Sequence, residues 1–179
     1  MNLKKIVLLL FFSALVASSI AQSSIRRKGY RGFADVGADA LFCRQGSDGY
    51  DLLHSFNSKG AFALSTSHGY QFNPYFYLGA GFGYTFFVKD LLFGPFFADF
   101  RVDLLNNRIT PFIDWRVGVP LCSDEYLLCG LYTHPSVGVS VRIPGRRDLN
   151  LYLSLGYIYQ AAEDAYLNSV ALRFGIIFR

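Results

Sequence analysis

The sequence predicts an all-β chain: an eight-stranded antiparallel up-and-down transmembrane β-barrel, preceded by a cleaved signal peptide. Three observations predict it. Apolar and polar residues alternate along almost every segment after residue 22, as in Phe96, Ala98, Phe100, Val102 and Leu104 against Asp99, Arg101 and Asp103. Successive strand residues point to opposite faces, so one face is apolar and the other charged. No helical segment is available to cover that much apolar surface, which makes lipid its expected cover. Second, the chain opens with an export signal. Third, the connections between strands alternate long and short.

The signal is read from Lys4 and Lys5, an apolar stretch from Ile6 to Val16, and the small-x-small site Ser19-Ile20-Ala21. The stretch is too short for a membrane anchor and polar residues follow it, so residues 1–21 are expected to be removed and residues 22–179 to form one barrel domain.

The first strand is expected over Tyr30–Phe42, with Arg31, Asp35 and Asp39 inward. The second is Ala61–Phe72, with Phe62, Leu64, Tyr70 and Phe72 outward and Ser65, Ser67 and Gln71 inward. The third is Tyr75–Val88, where Phe76 to Phe86 supply outward aromatics and Gly79, Gly81 and Gly83 face in. The fourth is Phe96–Leu104. In the fifth, Thr110–Val119, Trp115 faces out and Asp114 and Arg116 face in, with Phe112 an apolar exception on the inner face. The sixth, Leu131–Ile143, turns Val137, Val139, Val141 and Ile143 outward and Ser136, Ser140 and Arg142 inward. The seventh, Leu149–Gln160, and the eighth, Asn168–Phe178, repeat the pattern, with Leu153 and Phe174 outward and Tyr152 and Arg173 inward.

The connections this leaves at one end are Cys43–Gly60, Lys89–Pro95, Pro120–Gly130 and Ala161–Leu167. At the other end are Asn73-Pro74, Leu105–Ile109 and Pro144–Asp148, rich in turn formers. Long connections outside and short turns on the periplasmic side are the rule for outer-membrane barrels.

Removing Lys4 and Lys5 from the 17 basic residues leaves 15 against 13 acidic, a net charge of +2. The basic clusters Arg26–Lys28 and Arg146-Arg147 are too small to support nucleic-acid binding. Phe and Tyr dominate an aromatic content of 17% that holds one Trp, which suits lipid-facing strands and interfacial girdles. The inward charges are Arg31, Asp35, Asp39, Asp99, Arg101, Asp103, Asp114, Arg116, Arg142 and Arg173. An eight-stranded barrel is only wide enough for its own side chains, and a lone buried charge is too costly to keep. These residues are therefore expected to form a lumenal Arg–Asp network in place of a channel. The inward glycines of the third strand are expected to leave room for Arg and Tyr side chains; their G-x-G-x-G spacing, with no helix after it, is not that of a nucleotide loop.

Three cysteines, Cys43, Cys122 and Cys129, fall in predicted outer loops, where export makes a disulfide plausible. Cys122–Cys129 is the local pairing; Cys43 with either partner is the alternative. With no Cys-x-x-Cys motif, no metal or cofactor is expected. His54 falls in the longest loop and His68 on the outward face. His134 and Ser136 share a strand face, and a His can activate a Ser hydroxyl as nucleophile. The His134-Pro135-Ser136 spacing is similar to that of lipid A deacylase barrels, but Val137 replaces the Asn that family carries and the predicted pair faces the lumen. They are weak catalytic candidates, and an enzyme is the less favoured reading.

The run from Gly69 to Tyr84, strand–Asn73-Pro74–strand with alternating Gly and aromatic residues, resembles a hairpin of small Bacteroidota-type outer-membrane β-barrel proteins. The resemblance implies an eight-stranded, OmpA/OmpX-like barrel domain inserted by the barrel assembly machinery, which reads a C-terminal aromatic; Phe178, followed by Arg179, is the candidate insertion signal. The expected role is structural or surface-interacting, with outer-membrane lipid as surroundings and an extracellular partner reached through 43–60 and 120–130. A narrow solute pore and a lipid A-modifying enzyme are the alternatives. A soluble lipid-binding barrel requires the apolar face to turn inward. N-terminal sequencing of the exported chain is expected to begin at Gln22; a start at Met1 overturns the signal assignment.

Overall fold

Eight strands close into one antiparallel barrel in which each pairs with its neighbours in sequence and the first pairs with the last. They are β1 (Gly29–Gly46), β2 (Gly60–Gln71), β3 (Phe76–Phe87), β4 (Leu92–Asp103), β5 (Ile109–Cys122), β6 (Gly130–Arg142), β7 (Leu149–Ala162) and β8 (Ala165–Phe178). The structure, a computed structural model, describes residues 28–46, 60–87, 92–122, 130–145, 149–162 and 165–179. The predicted signal segment therefore lies outside the described residues, as do most of the stretch after β1 and the whole of 123–129.

Alternation places the side chains as the sequence suggested. Phe100, Trp115, Val139 and Leu153 all face outward, Trp115 with 54% of its surface exposed. The lumen holds Phe33, Tyr77, Phe97, Phe112, Tyr132 and Tyr152 beside the charged residues. A lipocalin-like barrel, apolar within and polar without, is excluded by this arrangement.

Several strands run farther than their sequence patterns. β1 continues past Phe42 because its pairing with β8 shifts register between Leu41 and Cys43. The extra residue of such a bulge breaks the alternation without ending the strand. β4 and β5 extend through the two prolines read as loop boundaries: Pro95 and Pro120 are direct ladder partners. Neither has an N–H to donate, and the β3–β4 ladder lapses there, passing from Phe82↔Phe96 to Thr85↔Phe93. The connection expected over Ala161–Leu167 is instead strand. β7 and β8 remain paired out to Ala162↔Ala165, so only residues 163–164 separate them. Cys43 and Cys122 consequently lie in strands, not loops.

Inward glycines act as seats for neighbouring rings. A Cβ on Gly81 would lie 2.8 Å from Cε2 and Cζ of Phe97, and one on Gly79 would lie 2.7 Å from Cζ of Tyr77. The side-chain atoms nearest to those positions thus belong to Tyr77 and Phe97. Gly81→Leu is expected to lower unfolding stability by roughly 1–3 kcal/mol through overpacking. Gly60→Leu, where the nearest atom to a Cβ is 3.8 Å away, is expected to be close to neutral. Urea unfolding in detergent micelles, followed through Trp115 fluorescence, compares the two.

Candidate functional site

The lumen is layered along the barrel axis. Reading up β1 from the barrel end at which β1 begins and β8 ends, Arg31, Phe33, Asp35 and Asp39 face inward in turn. β5 offers Thr110, Phe112, Asp114 and Arg116 in the same direction. Period-two alternation on paired strands stacks like with like, so an aromatic layer lies below a charged one.

The lower layer is Phe33, Tyr77, Phe112, Tyr152 and Ile177. Two guanidinium groups lie against it. Cζ of Arg101 sits 3.3 Å from the Phe112 ring centroid and 4.9 Å from that of Phe33, while Cζ of Arg31 is 4.8 Å from the Phe33 centroid. A planar guanidinium can stack on ring faces while its edge stays free for carboxylates. Arg31 Nη1 donates to Asp103 Oδ2 at 2.8 Å and also to Gln71 Oε1, and Arg101 Nε donates to Asp103 Oδ1 at 3.2 Å.

The middle layer centres on Asp35 and Arg116. Arg116 Nη2 donates to Asp35 Oδ2 at 2.9 Å and Nη1 to Ser65 Oγ at 2.8 Å. Its Nε lies 3.3 Å from Asp114 Oδ2 and 3.9 Å from Asp99 Oδ2. Asp35 also accepts from Ser65 Oγ and from the Tyr152 hydroxyl, both at 2.6 Å. Beside it, Arg173 grips Asp39 with both terminal nitrogens and brings Nε to 3.9 Å from Asp35 Oδ1. An upper apolar layer of Phe97, Tyr132, Ile158 and Ala171 follows, with Arg116 Cζ 5.1 Å from the Phe97 centroid.

Nine of the ten charged residues singled out from the sequence are buried together here, five aspartates and four arginines. The tenth, Arg142, is not part of the cluster. It ends β6 at the rim, half-buried, opposite Asn150, and has no carboxylate partner among the described residues. Position explains this: the last inward residue of a strand looks out of the barrel end, where water solvates a charge.

His134 and Ser136 are buried in the lumen wall, and no hydrogen bond joins them among the described residues. His134 Nδ1 is 3.5 Å from the Tyr132 hydroxyl. Its Nε2 is turned onto Gly156, and among the described residues neither Nε2 nor Ser136 Oγ has a hydrogen-bond partner. Pro135 between them lacks an N–H, and the β6–β7 ladder passes from Thr133↔Tyr159 to Ser136↔Gly156. Activation of the hydroxyl calls for a His–Ser bond and a carboxylate on the imidazole, and neither is present among the described residues. Among the described residues no group of three His, Cys, Asp or Glu side chains could hold a metal ion. The backbones of Cys43 and Cys122 pair with Asn168 and Phe93 on opposite walls of the barrel, while Cys129 lies outside the described residues. His68 faces outward; His54 is outside the described residues.

Sequence reasoning missed Ser65, Gln71 and Tyr152 as members of the network. The available signal was parity: each shares the inward set with the charges it meets.

No protein-family model matches this chain, and no curated protein matches its sequence. Solved structures do share its fold. Neisserial surface protein A (NspA) superposes with a TM-score of 0.63 at 15% identity, covering 86% of this chain and 99% of its own. The outer membrane protein OprG from Pseudomonas aeruginosa gives 0.51 at 8% identity, covering 88% and 98%. The fold is that of an outer-membrane-type β-barrel. At such low identity the likeness extends to architecture, not to role.

The network predicts the effect of removing its central carboxylate. Asp35→Ala leaves Arg116 facing a hole and takes an acceptor from Tyr152 and Ser65, and is expected to cost about 3–5 kcal/mol. Adding Arg116→Met is expected to recover part of that loss. Urea midpoints of the single and double variants give the coupling; an Asp35→Ala variant as stable as the parent contradicts a structural role for the network.

Proposed function

We propose that the chain is an integral outer-membrane β-barrel with a structural or surface-interaction role, its lumen plugged by the Arg/Asp network. One observation carries the reading: the charge layer around Arg116 and Asp35 crosses the lumen between two aromatic layers, and among the described residues thirty large apolar side chains point the other way. Charges that satisfy one another across the interior leave little for a passing solute, and an apolar exterior with aromatic residues toward both ends suits a bilayer. Buried Ser136 and His134, unbonded to each other, speak against lipid A modification.

On this reading residues 1–21 direct export, Phe178 is read by the barrel assembly machinery, outer-membrane lipid surrounds the wall, and segments 43–60 and 120–130 meet an outside partner. The OmpA/OmpX-like, Bacteroidota-type assignment rests on the Gly69–Tyr84 hairpin. Sucrose-gradient fractionation of a Gram-negative host is expected to place the protein with the outer membrane. Purified protein in planar bilayers is expected to show no large, stable conductance. Stable conducting steps support the narrow-pore alternative instead, and recovery in the soluble fraction overturns the membrane assignment.

A further inference from the structure

Gly32 stands at the barrel seam, at the end where β1 begins and β8 ends. Its ladder partners are His68 on β2 and Phe178 on β8. Neighbouring strands lie about 4.8 Å apart, so backbones two strands apart are separated by roughly 10 Å. The rings of His68 and Phe178 nevertheless meet edge to face, with centroids 5.9 Å apart. They meet because both lean over Gly32: a Cβ there would collide with Cε2 and Cζ of the Phe178 ring.

The walls of this seat are built by β1 and β2 alone. The Tyr30 ring stacks on His68 with centroids 6.1 Å apart, and its hydroxyl is 2.6 Å from His68 Nδ1. His68 Nε2 is 3.0 Å from Thr66 Oγ1, which donates to the Phe33 carbonyl at 2.9 Å. For the neutral imidazole one proton arrangement satisfies every link. Thr66 O–H donates to the carbonyl, His68 Nε2–H donates to Thr66 Oγ1, and Tyr30 O–H donates to Nδ1. The imidazole is therefore held in rotation by groups on β1 and β2, none of them on β8.

We infer that Gly32, Tyr30 and His68 form a socket for Phe178 that sets the register in which β8 closes the barrel on β1. A two-residue slip keeps every side chain on its proper face, so apolar alternation alone does not separate the native register from its neighbours. Slipped by two, Phe178 meets Tyr30 or Ala34, and both carry a Cβ. Only opposite Gly32 can the ring lie flat on the neighbouring backbone, the arrangement by which an aromatic covers a strand glycine. The Arg173–Asp39 pair favours the same register from the lumenal face; the socket acts on the outward face, where the neighbouring β8 residues Leu172, Phe174 and Ile176 are interchangeable apolar groups. The inference concerns strand closure and holds whether or not the proposed cellular role is correct.

Cysteine cross-linking tests it in the full-length chain carrying Cys43→Ser, Cys122→Ser and Cys129→Ser, refolded from urea into detergent micelles. Ala34→Cys with Ile176→Cys reports the native register, because these two are direct partners. Ala34→Cys with Phe174→Cys, and Val36→Cys with Ile176→Cys, report slips in the two directions. Gly32→Leu is expected to cut the native cross-link roughly tenfold, as an overpacked contact should. Phe178→Ala added to Gly32→Leu is expected to restore most of it, since the ring that clashes is then gone. Two results overturn the inference: a native cross-link unchanged by Gly32→Leu, or a Gly32→Leu defect that Phe178→Ala leaves unrelieved.

Discussion

The Asp35 carboxylate is the joint on which the barrel interior depends. It lies on β1, yet it accepts from Ser65 on β2, Arg116 on β5 and Tyr152 on β7, and Arg173 on β8 lies beside it. Backbone ladders connect each strand only to its neighbours. Side chains alone can bind opposite walls, and in a barrel of this size they are long enough to do so. The requirement that each buried charge find a partner then dictates which residues the other strands present at this level. Arginine suits the task because one guanidinium serves several acceptors: Arg116 reaches Asp35, Ser65 and Asp114 from a single side chain.

The aromatic layers above and below complete the same arrangement. Arg101 lies on the Phe112 face while its Nε meets Asp103, and Arg116 is close to Phe97. A ring face contributes attraction to a cation without adding another charge that needs a partner. The rings fit because glycines such as Gly81 and Gly138 surrender their side-chain space on adjoining strands; a Cβ on Gly138 would collide with Phe112. Large and small residues are thus matched across strand pairs.

Most of the barrel was legible in the sequence because one rule, alternation, governs both faces. Strand number, strand order and the facing of Phe100, Trp115, Val139 and Leu153 all follow from it. The errors arose where alternation ceases to inform. At Phe42 a bulge inserts a residue and the pattern breaks while the strand goes on. At Pro95 and Pro120 a turn-like composition sits inside a ladder whose hydrogen bonds neither proline has to supply. Beyond Gln160 the residues Ala161 and Ala162 carry no facing signal, although their backbones still pair. The inward charges could be enumerated from parity, but their pairing could not. Asp35 and Arg116 are 81 residues apart, and Arg173 and Asp39 are 134 apart. Arg142 shares the parity of the network and differs only in height along the axis, a coordinate that strand parity does not contain.

The separation of these partners bears on the order of assembly. Hairpins such as β7–β8, divided by residues 163–164 alone, join residues close in sequence and form at little entropic cost. The β1–β8 ladder unites the first strand with the last and carries the highest cost of that kind. Until it forms, Asp35 and Asp39 on one edge and Arg173 on the other remain open to water. Closing the ring and drying the interior are therefore a single event. A nearly complete sheet with one open edge keeps its ions hydrated and gains none of their attraction, which makes the final step cooperative and the half-closed form a poor resting state.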